Sequence, residues 1–285
     1  MKQFEFAVVT PSYTPDFERC QLLARSVQKF VQPATHYIIV TQKDFPLFQQ
    51  LQGPTTEILV VESLIPRWLF KVPLFKNGWL SLKTPPVRNW ILQQIVKLSA
   101  GFQLEKDVLV YVDSDLSFIR PFNLQTLVRG DQVRLFHADD RTPIGDWDLA
   151  TAKLLGLPPQ KFANYLHGIV TWRHDNVVKL FQHLEAVSGR EAIETLCRSW
   201  HLSEYQLYGA FVDHFLQEQS GHFWDAQGLC KEYWSPAHLS DAELEHFLSQ
   251  IEPECVAVMI SAKAGISPSR YQAFLEKYET ALKQV

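Results

Sequence analysis

Val108-Leu109-Val110-Tyr111-Val112-Asp113-Ser114-Asp115 is the stretch on which the reading of this chain turns. Five aliphatic and aromatic residues run without a polar interruption, the composition of a strand buried on both faces, and such strands belong to parallel sheets covered by helices. The run stops at two carboxylates one residue apart. Upstream the same alternation repeats. The apolar run 4–10 ends at Pro11-Ser12-Tyr13-Thr14-Pro15-Asp16, where Asp16 is placed to cap a helix over 17–30 carrying Leu22, Leu23, Val27 and Phe30 at helical spacing. Tyr37-Ile38-Ile39-Val40 reads as the next strand, 44–51 as a helix and 56–61 as a third strand. Strands alternating with helices predict an α/β fold with a mostly parallel central sheet, whose ligand sites lie at the carboxyl ends of the strands. Asp113 and Asp115 fall at such an end.

Between Ile65 and Pro86 the pattern breaks into prolines and aromatics, among them Trp68 and Trp79, and reads as a long ordered loop offering flat faces to a sugar ring. An amphipathic helix over 89–99 follows, with Gly101 where a C-cap would stand. Later candidates are a strand at 133–137, a strand at 167–172, helices near 177–184 and 191–199, a strand at 255–260, and a terminal helix from about Ser269. Gly168 opens the second of these strands, either because a side chain would collide with a bound sugar or because a bulge is needed. No repeat or linker is evident. One domain over 1–285 is expected, with a nucleotide-binding half over 1–137 and an acceptor-binding half over 138–285.

Composition narrows the function. The 285 residues are 46% hydrophobic, ample for a packed core, and 27 Lys and Arg against 31 Asp and Glu give a net charge of −4. That balance argues against a nucleic-acid partner. No apolar run approaches the ~20 residues of a transmembrane helix, and the start is unlike a signal peptide, so a cytoplasmic protein is expected. Cys20, Cys197, Cys230 and Cys255 are widely separated and read as buried thiols, not as a disulfide or zinc framework.

Two carboxylates beyond a buried strand cannot both stay ionised in a partly dry cleft without a cation. A hard divalent ion, Mn2+ or Mg2+, binds carboxylate and phosphate oxygens together, so the pair predicts a metal–diphosphate site. The plainer reading is two acids in a solvated turn. The loop Ser261-Ala262-Lys263-Ala264-Gly265-Ile266-Ser267 suits close approach by phosphate, with Lys263 and Arg270 at its flanks. Glu204 is a candidate general base for an acceptor hydroxyl, or else the first turn of a helix capped by Ser203. Asp139 and Asp140 are rival bases. His238 is the nearest candidate for a late histidine ligand, although a surface histidine is the simpler reading.

The run 108–115, the segment Trp90-Ile91-Leu92-Gln93-Gln94-Ile95-Val96-Lys97-Leu98, the opening Val9-Thr10-Pro11-Ser12-Tyr13 and the later Ser203-Glu204-Tyr205-Gln206-Leu207-Tyr208-Gly209 together resemble GT-A-type glycosyltransferases, in particular an ill-characterised bacterial family of them. The segments sample most of the chain up to Gly209; the remainder matches weakly. The resemblance implies a GT-A, Rossmann-like fold and a nucleotide-diphosphate sugar, UDP- or GDP-linked, as donor. Asp113 would then stand against ribose or metal, Asp115 would ligate the metal, and Ser114 would adjoin the donor between them. Thr10, Pro11, Ser12 and Tyr13 would line the nucleotide, and Asp44 would accept a hydrogen bond from base or ribose. For Thr10 and Ser12 the alternative is turn chemistry, and for Asp44 a helix N-cap. The acceptor would be a hydroxyl on a glycan, lipid or small molecule, membrane-borne carriers included.

Two other classes share these features. Phosphotransferases of the haloacid dehalogenase type also place Asp-x-Asp after an apolar strand, with the first Asp as nucleophile, but they normally use the first strand of the chain. A non-catalytic nucleotide-sugar-binding module would keep the fold without turnover.

Overall fold

The computed structural model describes residues 3–72, 75, 78–139 and 143–282, with side chains to Lys277. The opening apolar run becomes the strand Phe6–Pro11, buried throughout. It pairs in parallel with Thr35–Val40 on one side and Val108–Tyr111 on the other. Thr56–Val60 extends the sheet in parallel beyond Thr35–Val40, and Val170–Arg173 closes the other edge antiparallel to Val108–Tyr111. The result is a mixed α/β fold with a mostly parallel central sheet flanked by helices.

Alternation along the strands feeds two core layers. Leu109 and Tyr111 join Ala7, Val9 and Ile39 in a large cluster with the helices Asn89–Gln103, His174–Ser188 and Glu204–Phe211. Val108 and Val110 join Phe6 and Val8 in a second cluster, against Leu23, Val27 and Phe30 of the helix Phe17–Phe30. That two-sided burial explains why Val108–Tyr111 is an unbroken run of aliphatic and aromatic residues. Past the antiparallel edge, Thr171 donates a hydroxyl hydrogen bond to the Arg134 carbonyl of the strand Gln132–Phe136, which pairs in parallel with His222–Asp225. On the opposite flank Leu116–Phe118 pairs antiparallel with Ala257–Ile260, and Cys230–Tyr233 pairs in parallel with the latter.

Several expectations need correction. The stretch 65–86 is not all loop: Leu69–Phe70, Gly78–Ser81 and Val87–Arg88 form a small antiparallel ribbon. Trp79 in that ribbon is 2% exposed and belongs to the core, so it offers no face to a ligand. Trp68 is partly buried against the same cluster, with the Lys83 ammonium 5.4 Å above its ring. Gly101 does not cap its helix, which continues to Gln103; a Cβ there would stand 2.9 Å from the Tyr111 hydroxyl, so glycine makes room between helix and sheet. Asp16 makes no side-chain cap bond. The four cysteines are free and buried, and among the described residues no helix is long and apolar enough to cross a membrane.

Candidate functional site

Asp113 and Asp115 emerge directly from the carboxyl end of Val108–Tyr111. Asp113 is held from behind by Lys97, whose ammonium lies 2.9 Å from Asp113 Oδ1 and 2.9 Å from Glu204 Oε1. Lys97 also donates to the Tyr205 hydroxyl at 3.0 Å and sits over the Tyr205 ring. Burial by itself would lower the pKa of this lysine, but Asp113, Glu204 and Tyr205 together raise it well above the ordinary value, so the ammonium stays charged. Glu204, 2% exposed, opens its helix behind a Ser203 cap that accepts from the Gln206 N–H. Its carboxylate is thus a counter-charge within the site wall.

Asp115 has weaker compensation. Its Oδ2 accepts from the Ala262 N–H at 3.0 Å, yet burial, with Asp113 second, pushes its carboxyl up to about 6. Asp16 adds to the negative field: burial lifts its pKa, Asp113 adds to this, and Arg19 opposes it through an ion pair at 3.3 Å. Sequence reading had assigned Asp16 only a capping role. Its proximity to the pair depends on the fold bringing the strands Phe6–Pro11 and Val108–Tyr111 side by side.

Thr10 is fully buried and its hydroxyl shares a 2.9 Å hydrogen bond with His36 Nε2; burial pushes His36 down to about 3, so the ring is neutral. Pro11 ends the strand. The Ser12 N–H donates to the Ile39 carbonyl, and the Tyr13 ring is 51% exposed at the same edge as Asp113. Ser114 is buried between the two acids. Asp44 makes no cap bond; its carboxylate accepts from Thr14 at 2.6 Å and Thr41 at 2.9 Å, which ties together the loops after the first two strands. Lys263 is exposed on the short 3-10 turn Ala262–Ala264, beside the N–H that meets Asp115, and makes no ion pair among the described residues. Arg270 is committed to Asp241 at 2.7 Å and contacts His238 Nε2 at 2.6 Å, while His238 Nδ1 faces the Ala264 carbonyl. Both His238 nitrogens are therefore engaged within the protein. Asp139 is exposed, and Asp140 lies outside the described residues.

Asp113 lines a cavity enclosing about 330 Å3 of empty space, part of it open to solvent, with Leu116, His167, Gly168, Tyr205 and Trp234 among its walls. Behind the cavity stands a carboxylate that sequence reading missed. Glu232 Oε1 lies 2.9 Å from His167 Nδ1 and accepts from the Gly168 N–H at 2.5 Å, while Oε2 accepts from the Trp234 indole at 2.6 Å. Burial opposes ionisation, but His167, Trp234 and Gly168 hold Glu232 below the usual carboxylate range. Gly168 is explained here. A Cβ would lie 3.0 Å from Cys230 Sγ and 3.1 Å from Glu232 Oε1, so the glycine leaves room for this packing in the wall of the cavity.

Among the described residues no three His, Cys, Asp or Glu side chains converge as a metal site. Asp113 and Asp115 fit a hard divalent ion as a partial shell, with substrate oxygens completing it, and the poorly compensated Asp115 is the group that such an ion would settle. A family model matches residues 7–282. The chain belongs to the DUF6492 family. Its description is a family of unknown function, and no curated protein matches the chain.

Proposed function

We propose that this DUF6492 protein is a metal-dependent glycosyltransferase of the GT-A type, transferring a sugar from a nucleotide-diphosphate donor to an acceptor hydroxyl. The observation that carries this reading is Asp115: a carboxyl at the carboxyl edge of a mostly parallel sheet, raised to about 6 by burial and by Asp113, beside an open cavity. Mn2+ or Mg2+ bound between Asp115 and Asp113 would act as a Lewis acid on the departing diphosphate.

The chain's own groups take the remaining roles. Lys97 and Glu204 fix Asp113, so Glu204 is a positioning residue in this reading and not the base. Tyr13 and Asp44 line the nucleotide at the ends of the first two strands, and Lys263 approaches the phosphates. We assign His167 as the base on its place in the wall of the Asp113 cavity, with its Nδ1 2.9 Å from the Glu232 carboxylate.

A thermal-shift screen of UDP- and GDP-sugars, with and without Mn2+, tests the proposal. A donor at 100 times its dissociation constant stabilises by about 2.7 kcal/mol. The Mn2+-dependent part should vanish in Asp115→Asn, and an unchanged shift there would remove the basis of the assignment.

A further inference from the structure

Next to the Asp113 cavity the fold builds a second polar cluster, in which each member is held by a separate device. His137 follows the strand Gln132–Phe136, and its N–H donates to the Asp225 carbonyl of the neighbouring strand. Its ring meets the Trp224 indole at 5.4 Å between centroids and Tyr165 at 5.5 Å. Asp213 comes from the other side, on the π-helical turn Val212–Leu216 that prolongs Glu204–Phe211. Its Oδ2 accepts from the Tyr165 hydroxyl at 2.8 Å and lies 3.6 Å from His137 Nε2. Tyr165 is fully buried, and Gly209 leaves it space: a Cβ at Gly209 would overlap the Tyr165 ring.

Three features set this cluster apart from ordinary core packing. Single π-turns are rare and collect at functional sites, and this one exits through Gln217, a non-glycine residue at φ 47°. Asp213 Oδ1 accepts no hydrogen bond from a described residue, while the side chain is 30% exposed. Trp224 shows 40% of its surface to solvent although its neighbours His222 and Val133 are buried. A stabilising cluster would satisfy the carboxylate and cover the indole. Here both are presented outward.

The chemistry selects the ligand. A solvent-exposed indole takes the C–H face of a pyranose, and a carboxylate oxygen beside an imidazole takes its hydroxyls. Asp213 and the exposed Asp139 disfavour phosphates and other anions, and no three ligands converge for a metal among the described residues. The cluster is continuous with the cavity, since Phe136 meets His167 at 4.7 Å and Tyr165-Leu166-His167 runs from one to the other.

We propose that Asp213, His137 and Trp224 form a saccharide-binding subsite that receives the acceptor, so that the acceptor is a glycan. The assignment to the acceptor rests on the glycosyltransferase reading; the binding of a neutral pyranose does not. Saturation-transfer NMR on the full chain, without nucleotide or metal, against methyl α- and β-pyranosides of glucose, galactose, mannose and N-acetylglucosamine tests it directly. Saturable transfer to at least one glycoside is expected, weakened about tenfold or more in both Asp213→Asn and Trp224→Ala. Trp224→Phe, which keeps a flat ring, should retain binding, and far-UV dichroism establishes that each variant is folded. Absence of saturable transfer to any glycoside, or a smaller loss in either of the first two variants, overturns the proposal. Such a failure leaves any Mn2+-dependent response to nucleotide sugars standing, and the reverse also holds.

Discussion

Lys97 Nζ lies 2.9 Å from Asp113 Oδ1, although one comes from the middle of a helix and the other from the end of a strand. With Glu204 at the same distance, the lysine is enclosed at 3% exposure between two carboxylates. Removing only the cation leaves both acids uncompensated, one of them buried. Lys97→Met is expected to cost about 3–5 kcal/mol in urea unfolding, the usual result of breaking a buried ion pair from one side. Lys97→Met combined with Glu204→Gln should recover part of that loss; a loss equal to the single variant's would argue against the pairing.

Asp115 gives the stability a pH signature. Its carboxyl stands at about 6 in the folded chain against an ordinary 3.8, so between those values the folded chain holds the extra proton. Stability contributed by this group is present below the lower value and declines as pH rises through about 6, by an amount on the order of 3 kcal/mol. Chemical denaturation from pH 4 to pH 7 should show this decline in the wild type, and Asp115→Asn should flatten it.

The same proton competes with metal. A carboxylate must lose it to bind Mn2+, so the Mn2+-dependent thermal shift should be full at pH 7.5 and weaken as pH drops below about 6. A shift that stays constant to pH 5 would place the ion elsewhere.

His167 and Glu232 should separate binding from turnover. His167→Asn is expected to reduce transfer by about a hundredfold or more, the usual contribution of a general base, with nucleotide-sugar stabilisation retained. Glu232→Gln should act through His167 and displace the pH–rate profile, a change that a purely structural carboxylate would not produce.

Gly209→Ala tests the packing behind the second cluster. With the Tyr165 ring in the way, overpacking should cost about 1–3 kcal/mol or more in stability. Wild-type stability in that variant would mean that the ring is not seated against the helix.

Much of the sheet was legible because burial on both faces leaves a plain mark: apolar runs at 6–9, 37–40 and 108–112, each followed by a break. The helix Phe17–Phe30 was read at its true limits from its apolar spacing. The short ribbon within 65–86 was not, since strands of two to four residues carry too little periodicity to register. At the site, Asp113 and Asp115 were found by their position after a strand. Lys97 went unnoticed within Ile95-Val96-Lys97-Leu98, yet a lysine inside an apolar helix face is itself a signal, because burial obliges it to find carboxylates. Glu232 left no such trace. It meets Gly168 across 64 positions of sequence, a contact that no local pattern announces.

The tie between Ala262 and Asp115 reaches across 147 positions, and Arg19 fastens the same late loop by donating to the Ile266 carbonyl. A premature stop between Asp115 and that loop would therefore do more than shorten the protein's tail: it would strip this acid of its backbone anchor while leaving Asp115 and the strands before it encoded. Expression of the first half alone should yield a polypeptide that carries the recognisable signature without the contact that holds Asp115 in place, a warning for anyone who trims this family to its most legible portion.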